Sequence, residues 1–155
     1  RAYGAIPVRR GEADTRAYKR AIEVLRQGKA LLVAPEGTRS GHGRLQQGKD
    51  GLTYLALRTR ATLVPVALAG HIAFFSRLQR LRKTRVCVWV GRPFRFVMRE
   101  GSRVDKQQIR GMTGEVMREL AALLPIPNRG AYADDLEQPR HWISYDAEAG
   151  AGDAG

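Results

Sequence analysis

The chain has 155 residues, 43% of them hydrophobic, which is the length and composition of a single globular domain. Its net charge of +12 favours anionic partners, namely phosphorylated or thioester-bearing small molecules, acidic proteins, anionic membranes or nucleic acid. The single cysteine excludes an internal disulfide, and the longest apolar run, 61–70, is too short to cross a membrane.

Predicted strands and helices alternate along the chain. A strand at 4–9 is followed by a helix over 14–27, which Asp14 is expected to cap and Gly28 to end. The remaining predicted elements are a strand over 30–34, a helix over 49–60, strands over 62–68 and 84–90, and a helix over 104–124. This alternation predicts an α/β fold in which helices flank a mostly parallel sheet.

Charge and composition divide the chain into two regions. Residues 1–124 contain all of the predicted elements and are expected to form one domain, within which residues 77–103 are strongly basic. Residues 125–155 form a polar, acidic tail whose end, 147–155, consists of alanine, glycine and acidic residues. Such a composition cannot bury enough apolar surface to fold, so the end of the tail is predicted to be disordered.

The most informative motif is PEGTRS at residues 35–40, directly after the predicted strand 30–34. Open α/β sheets bind ligands at the carboxyl ends of their strands. Gly37 would let backbone N–H groups approach an anion, and Arg39 can hold phosphate oxygens with a planar fork. Glu36 would accept from a substrate hydroxyl or orient the arginine. The motif therefore predicts a site for a phosphorylated polyol, although a surface turn with a solvated Glu/Arg pair is also compatible with it.

Three segments in this order resemble signature blocks of the lysophospholipid acyltransferases, the bacterial 1-acylglycerol-3-phosphate acyltransferase family. PEGTRS is similar to the third block, GAIPVRR at 4–10 to the second, and LVPVA at 63–67 to the fourth. The resemblance covers about residues 1–100. It implies a glycerolipid acyltransferase fold and transfer of a fatty acyl group from acyl-CoA or acyl-carrier protein to lysophosphatidic acid, giving phosphatidic acid, without any other cofactor.

The resemblance also implies which residues bind the acceptor. They are Arg10, Glu36, Gly37, Thr38 and Arg39. Additional anion contacts are expected from three neighbouring positions, Arg9, Ser40 and Lys49. Val64 and Pro65 of the fourth block are expected to form a wall rather than to take part in the chemistry.

The first block of the family, a histidine and an aspartate separated by four residues, would supply the general base. No such pair precedes the second block here, and the spacing occurs only at His141 and Asp146, in the polar tail. The sequence therefore predicts no catalytic residue in this chain. We expect it to be an amino-terminally truncated fragment that is inactive alone and whose missing part carries the catalytic pair.

Other motifs are weaker. Residues 43–50, GRLQQGKD, match a phosphate-binding P-loop except at Asp50, where a serine or threonine would bind Mg²⁺. The sequence has no metal-ligand spacing, so no metal is expected. Cys87 lies in an apolar alternation and is predicted to be a packed core residue.

Residues 72–83 mix aromatic residues and leucines with arginines, which suits either an interfacial membrane segment or a connection that covers the sheet. The expected location is the cytoplasmic face of a membrane, with the protein peripheral or anchored by its missing amino-terminal part. No nucleic acid is expected, because no recognition motif accompanies the charge. The competing hypothesis is a non-enzymatic, basic domain that binds membrane surfaces or nucleic acid.

Overall fold

A computed structural model describes residues 4–8, 14–38, 41–70, 83, 85–98 and 104–145. These residues form three helices, α1 (Thr15–Arg26), α2 (Gly51–Thr59) and α3 (Lys106–Leu123). They also form four short strands, β1 (Val66–Ala69), β2 (Cys87–Val90), β3 (Phe94–Phe96) and β4 (Ile143–Tyr145). Two 3-10 turns, Ile126–Asn128 and Gly130–Tyr132, follow α3.

Helix α1 begins and ends where its sequence predicts. The Asp14 carboxylate accepts from the backbone N–H groups of Arg16 and Ala17 at 3.1 and 3.0 Å. At the other end Gly28 has a φ of +71°, its N–H donates to Leu25 O, and the next N–H donates to Val24 O. This pair of bonds is a Schellman motif, so the predicted cap and stop are both confirmed.

Helix α3 supplies most of the core. Asp105 and Gln108 close a capping box, with bonds of 2.7 and 3.0 Å between each side chain and the other residue's backbone N–H. The apolar side chains buried along the helix are Ile109, Met112, Val116, Met117, Leu120 and Ala121. Their helical spacing agrees with the predicted helix over 104–124.

The strands do not form the predicted sheet. β1 pairs with β2 antiparallel, with Val66 opposite Val90, and β3 pairs with β4 antiparallel, with Phe94 opposite Tyr145. Residues 30–34 and 5–8 adopt no regular secondary structure. Without them as neighbouring strands, the described residues contain two antiparallel pairs rather than a mostly parallel sheet.

One face of the β1–β2 pair is exposed. Val66, Leu68, Val88 and Val90 share this face and are 44–66% exposed. Cys87, which was predicted to be a packed core residue, is only half-buried on the other face. The apolar alternation therefore predicted strands correctly, but it did not predict which face the rest of the fold covers.

The carboxyl-terminal region packs back onto α3. The buried Glu115 carboxylate accepts from the backbone N–H groups of His141 and Trp142, and Arg140 Nε lies 2.9 Å from Glu119 Oε1. Residues 140–142, within the predicted polar tail, are thus held by the buried Glu115 and the half-buried Glu119 of α3. The division at residue 124 stays a prediction, and residues 146–155 lie outside the described ones.

Candidate functional site

The first three residues of PEGTRS form a tight turn together with Ala34. The Gly37 N–H donates to Ala34 O at 3.1 Å, with Pro35 at the second position of the turn and Gly37, at φ +67°, in the fourth. The Gly37 N–H itself is used inside this turn, and the expectation that Gly37 lets other backbone N–H groups approach an anion stays a prediction. Glycine is needed here for its backbone conformation.

Two hydrogen bonds hold this turn against residues 46–49. Glu36 Oε2 accepts from the backbone N–H of Gln46 at 2.9 Å, and the Lys49 N–H donates to Pro35 O at 2.7 Å. One bond orients the Glu36 carboxylate and the other fixes the backbone beside it. The half-buried Glu36 side chain is therefore fixed with its second oxygen available to another partner.

Lys49 lies beside this turn. A Cβ atom added to Gly37 would lie 3.2 Å from Lys49 Cγ, so the lysine stem runs close to the glycine. The Lys49 side chain is exposed, which leaves its ammonium group accessible to an anion. The structure thus brings together Glu36, Gly37 and Lys49, with Thr38 next to them in the chain. The other predicted site residues, Arg9, Arg10, Arg39 and Ser40, lie outside the described residues.

Residues 43–50 do not form a nucleotide site. Asp50 Oδ1 accepts from Thr113 Oγ1 at 2.9 Å and lies 3.6 Å from Arg110 Nη1. Asp50 therefore has a structural role at the start of α2. Among the described residues there is also no cluster of histidine, cysteine and acidic side chains suited to a metal ion.

An open apolar groove of about 830 Å³ begins beside the turn. Its walls come from residues 29–35, from α2 and from residues 61–66, and the lining includes Leu31, Val33, Leu52, Leu55, Val64 and Pro65. Both fourth-block residues thus lie in its wall. Pro35 also lines the groove, so the groove reaches the residue next to Glu36.

Sequence reasoning missed the partners of the turn. The bond from Gln46 to Glu36 joins residues ten positions apart. Its donor is a backbone N–H group, which almost every residue has, so the residue type at position 46 does not predict the bond. The glycines at 43 and 48 did mark residues 43–50 as a special loop, through a partial match to a P-loop that fails at Asp50. In the structure Gly48 is buried because it packs under Met117.

Comparison with known proteins relates the amino-terminal part of the chain to a class of enzymes. Residues 1–69, which contain all three signature-like segments and the turn, match the acyltransferase family. This part of the chain is thus similar to acyltransferases, and the resemblance inferred from PEGTRS and its neighbouring blocks is confirmed. No solved structure matches the chain.

The curated relatives have one specific activity in their names. The chain is 39% identical over 69 residues to a 1-acyl-sn-glycerol-3-phosphate acyltransferase of Cocos nucifera, a match of 44% of this chain and 22% of that protein. A protein of the same name from Limnanthes alba is 37% identical over 78 residues, 49% of this chain and 28% of that protein. A bacterial one, from Borreliella burgdorferi, is 38% identical over 59 residues, 38% and 24% of the two chains. The chain thus spans about a quarter of the length of these relatives.

Proposed function

We propose that this chain carries the acceptor-binding part of a 1-acyl-sn-glycerol-3-phosphate acyltransferase. The reaction transfers a fatty acyl group from acyl-CoA or acyl-carrier protein to the free hydroxyl of lysophosphatidic acid and forms phosphatidic acid. The match of residues 1–69 to the acyltransferase family and the partial matches to relatives of that name support the reaction. They also favour an enzyme over the alternative of a non-enzymatic basic domain.

The observation that carries the proposal is the fixed Glu36 carboxylate beside an exposed lysine. Glu36 is held by the Gln46 N–H at 2.9 Å, and Lys49 runs past Gly37 in the same turn. Lys49 would attract the phosphate of the acceptor, and the free oxygen of Glu36 would accept from its glycerol hydroxyl or orient Arg39. Arg39 and Arg10 would each bind two phosphate oxygens at once through the planar guanidinium group.

The apolar groove supports a lipid acceptor. It adjoins the turn at Pro35 and is lined by leucine, valine and proline side chains. A lysophosphatidic acid molecule whose phosphate lies at Lys49 could place its acyl chain along this wall and remove apolar surface from water. Since such a lipid resides in a bilayer, we place the reaction at a membrane surface, on the cytoplasmic side where acyl thioesters are made. Among the described residues, none of the helices is both long and apolar enough to cross a membrane.

The chemistry also needs a general base. The acceptor hydroxyl attacks the thioester carbonyl, its proton passes to the base, and the thiol of the donor leaves with a proton. The 155 residues contain no histidine and aspartate with the family spacing ahead of residues 4–10. We therefore propose that these 155 residues bind the acceptor without activating its hydroxyl.

The test is a titration of the chain with glycerol 3-phosphate, followed by the amide resonances of residues 34–38 and 46–49. Saturable shifts in these residues are expected, and glycerol or sulfate at the same concentration should produce much smaller ones. Equal shifts with sulfate would indicate general attraction of anions to a basic chain and would contradict an acceptor site. Acyl transfer by the 155 residues alone would contradict the absence of a base.

A further inference from the structure

Residues 43–49, which we call the strap, lie between two parts of the molecule. On one side the strap holds the turn of PEGTRS through Gln46 and Lys49. On the other side it contacts α3 and the two 3-10 turns that follow α3. The residues of α3 and of the 3-10 turns that make these contacts lie beyond residue 69, where the match to the acyltransferase family ends.

Three side chains from this carboxyl-terminal region hold the strap. Asn128 Nδ2 donates to Gly43 O at 2.7 Å, and Tyr132 Oη accepts from the Gly48 N–H at 3.2 Å. Arg110 donates to Gln47 Oε1 at 3.1 Å and to Gly48 O at 3.4 Å. The first and last thirds of the strap are therefore fixed by side chains that residues 1–69 do not contain.

Backbone bonds fix the middle of the strap. The Leu45 N–H donates to Asn128 O at 3.0 Å, and Leu45 O accepts from the Ala131 N–H at 3.2 Å. A strand-like exchange of two bonds thus joins Leu45 to the 3-10 turns. Gln46, the donor to Glu36, is the next residue after this doubly bonded position.

The packing leaves the strap little freedom to shift. A Cβ atom on Gly130 would lie 2.0 Å from Leu45 O, and one on Gly48 would lie 2.7 Å from Met117 Cγ. Two backbones are therefore in direct contact at Gly130, and the strap lies directly on α3 at Gly48. A displacement of α3 or of the 3-10 turns must move the strap, because closely packed interiors have no space to absorb it.

We infer that Asn128 and Tyr132 are positioning residues for the acceptor site, acting on Glu36 through the strap. This inference rests on the proposed function, because it concerns the same turn. It adds that the affinity for the acceptor phosphoglycerol group depends on residues outside the family match. Neither residue contacts the acceptor, so both act only by fixing the Gln46 N–H and the Lys49 backbone.

The test uses two substitutions: Tyr132→Phe removes one bond and changes little else, whereas Asn128→Asp also adds a negative charge, so its hydrogen exchange rather than its affinity for an anion is the measurement that counts. Tyr132→Phe removes the acceptor of the Gly48 N–H, and Asn128→Asp replaces an amide donor with a carboxylate that cannot donate to Gly43 O. Hydrogen exchange of the Gln46 and Lys49 amides is expected to speed up about fivefold in each variant, the equivalent of about 1 kcal/mol for one net hydrogen bond. The dissociation constant for glycerol 3-phosphate should rise by a similar factor in Tyr132→Phe.

Two controls separate positioning from general stability. Tyr54→Phe removes another phenol hydroxyl, from a side chain that is 47% exposed on α2, and should change neither measurement. Asp14→Ala removes the cap of α1, which costs a comparable amount of stability far along the chain from the strap. It should leave the affinity for glycerol 3-phosphate unchanged.

The outcomes distinguish this inference from the proposed function. If Asp14→Ala weakens binding as much as Tyr132→Phe, the effect is one of overall stability and the positioning role is wrong. If hydrogen exchange of the Gln46 amide does not change in Tyr132→Phe, Tyr132 does not fix the Gln46 N–H through the strap. The positioning role is then wrong, whatever the effect on binding. If exchange speeds up as expected but the unsubstituted chain does not bind glycerol 3-phosphate, the coupling is supported and the acceptor site is contradicted.

Discussion

The hydroxyl oxygens of Thr53 and Thr113 lie 2.8 Å apart in the buried contact between α2 and α3. Thr113 Oγ1 also lies 2.9 Å from both Asp50 Oδ1 and Ile109 O. Because Thr113 has one proton and two acceptors already face it, Thr53 must be the donor in the contact between the two threonines. This short chain of bonds joins the start of α2, next to the strap, to the centre of α3.

Removing both members of this pair should cost less than the sum of the two single losses. Thr113→Val leaves the buried Thr53 hydroxyl without its acceptor, so we expect a loss of about 1–3 kcal/mol in the free energy of unfolding. The double variant Thr53→Val with Thr113→Val removes both polar groups and should be less destabilised than the sum of the single variants. Urea unfolding of the three variants measures this. Additive losses would show that the two hydroxyls do not interact.

Gly130 should tolerate no side chain. Its φ is +54°, and a Cβ atom would approach Leu45 O to 2.0 Å, so Gly130→Ala is expected to cost about 2–4 kcal/mol. Gly51→Ala is the matched control, since a Cβ atom there meets nothing within 4 Å and alanine favours the helix α2 that Gly51 begins. Thermal unfolding should show a lower midpoint for the first variant and an equal or higher one for the second. Similar midpoints would mean that the 3-10 turns are not packed on Leu45.

Arginine geometry at the acceptor site gives a third prediction. If Arg39 binds phosphate oxygens with its planar fork, Arg39→Lys should weaken binding of glycerol 3-phosphate about tenfold although the charge is unchanged. Arg82→Lys, in the basic stretch outside the signature blocks, should leave binding unchanged. Small, equal effects at both positions would point to diffuse electrostatic attraction.

Alkaline pH should reveal the packing of Tyr145. Burial, and next the neighbouring Glu119 carboxylate, raise the pKa of the Tyr145 phenol above its ordinary value of 10.0. The folded state thus favours the protonated phenol. Its contribution to stability is complete below pH 10.0 and is lost as the pH rises through the folded pKa.

We therefore expect Tyr145→Phe to lose less stability than the unsubstituted chain when the pH rises from about 9 to about 11. Urea unfolding at several pH values measures this difference. The free energy of unfolding of Tyr145→Phe should still fall somewhat with rising pH, because burial also raises the pKa of Tyr18. Tyr54→Phe serves as the control, and an equal flattening in that variant would rule out a specific role of Tyr145.

Membrane attachment gives the last prediction. The basic residues between 77 and 85 lie next in sequence to Phe74 and Phe75, and each cation near an anionic surface is worth about 1 kcal/mol. The chain should therefore sediment with anionic vesicles at low salt and much less with neutral ones. Replacing both phenylalanines with serine should weaken sedimentation at unchanged thermal stability. A large drop in stability with normal sedimentation would place the two rings in the core instead.

The sequence predicted those parts of the fold that depend on neighbouring residues. α1 was predictable because Asp14 and Gly28, its cap and its stop, lie within one helical turn of its ends. α3 was predictable because its apolar residues repeat at helical spacing. The turn at Pro35–Gly37 was likewise signalled by its own proline and glycine.

Strand pairing was not predictable in the same way. Residues 30–34 have the composition of a core strand, yet Leu32 is 93% exposed and the segment pairs with no described strand. β3 and β4 have only three residues each, too few for an alternation to be recognised, although Phe94 is fully buried where they pair. Pairing depends on which segments meet in space, and no local pattern contains that information.

In the candidate site, too, the sequence identified the residues of local motifs but not their distant partners. Glu36, Gly37 and Lys49 were identified from their motifs, and the structure brings them together. The residues that hold the neighbouring strap at Gly43 and Gly48, Asn128 and Tyr132, lie in a region that the sequence assigned to a polar tail. Their roles come from bonds across more than eighty residues, which spacing along the chain cannot reveal.

Those long separations have a consequence for the order in which the protein folds. The bonds from Gly48 to Tyr132 and from Asn128 to Gly43 span 84 and 85 residues. During synthesis, residues 35–49 leave the ribosome long before the residues that fix them exist, and contacts of such long range form late and slowly. A nascent chain that has reached residue 69 already contains every residue of the family match, but its strap still lacks Asn128 and Tyr132, the partners of Gly43 and Gly48.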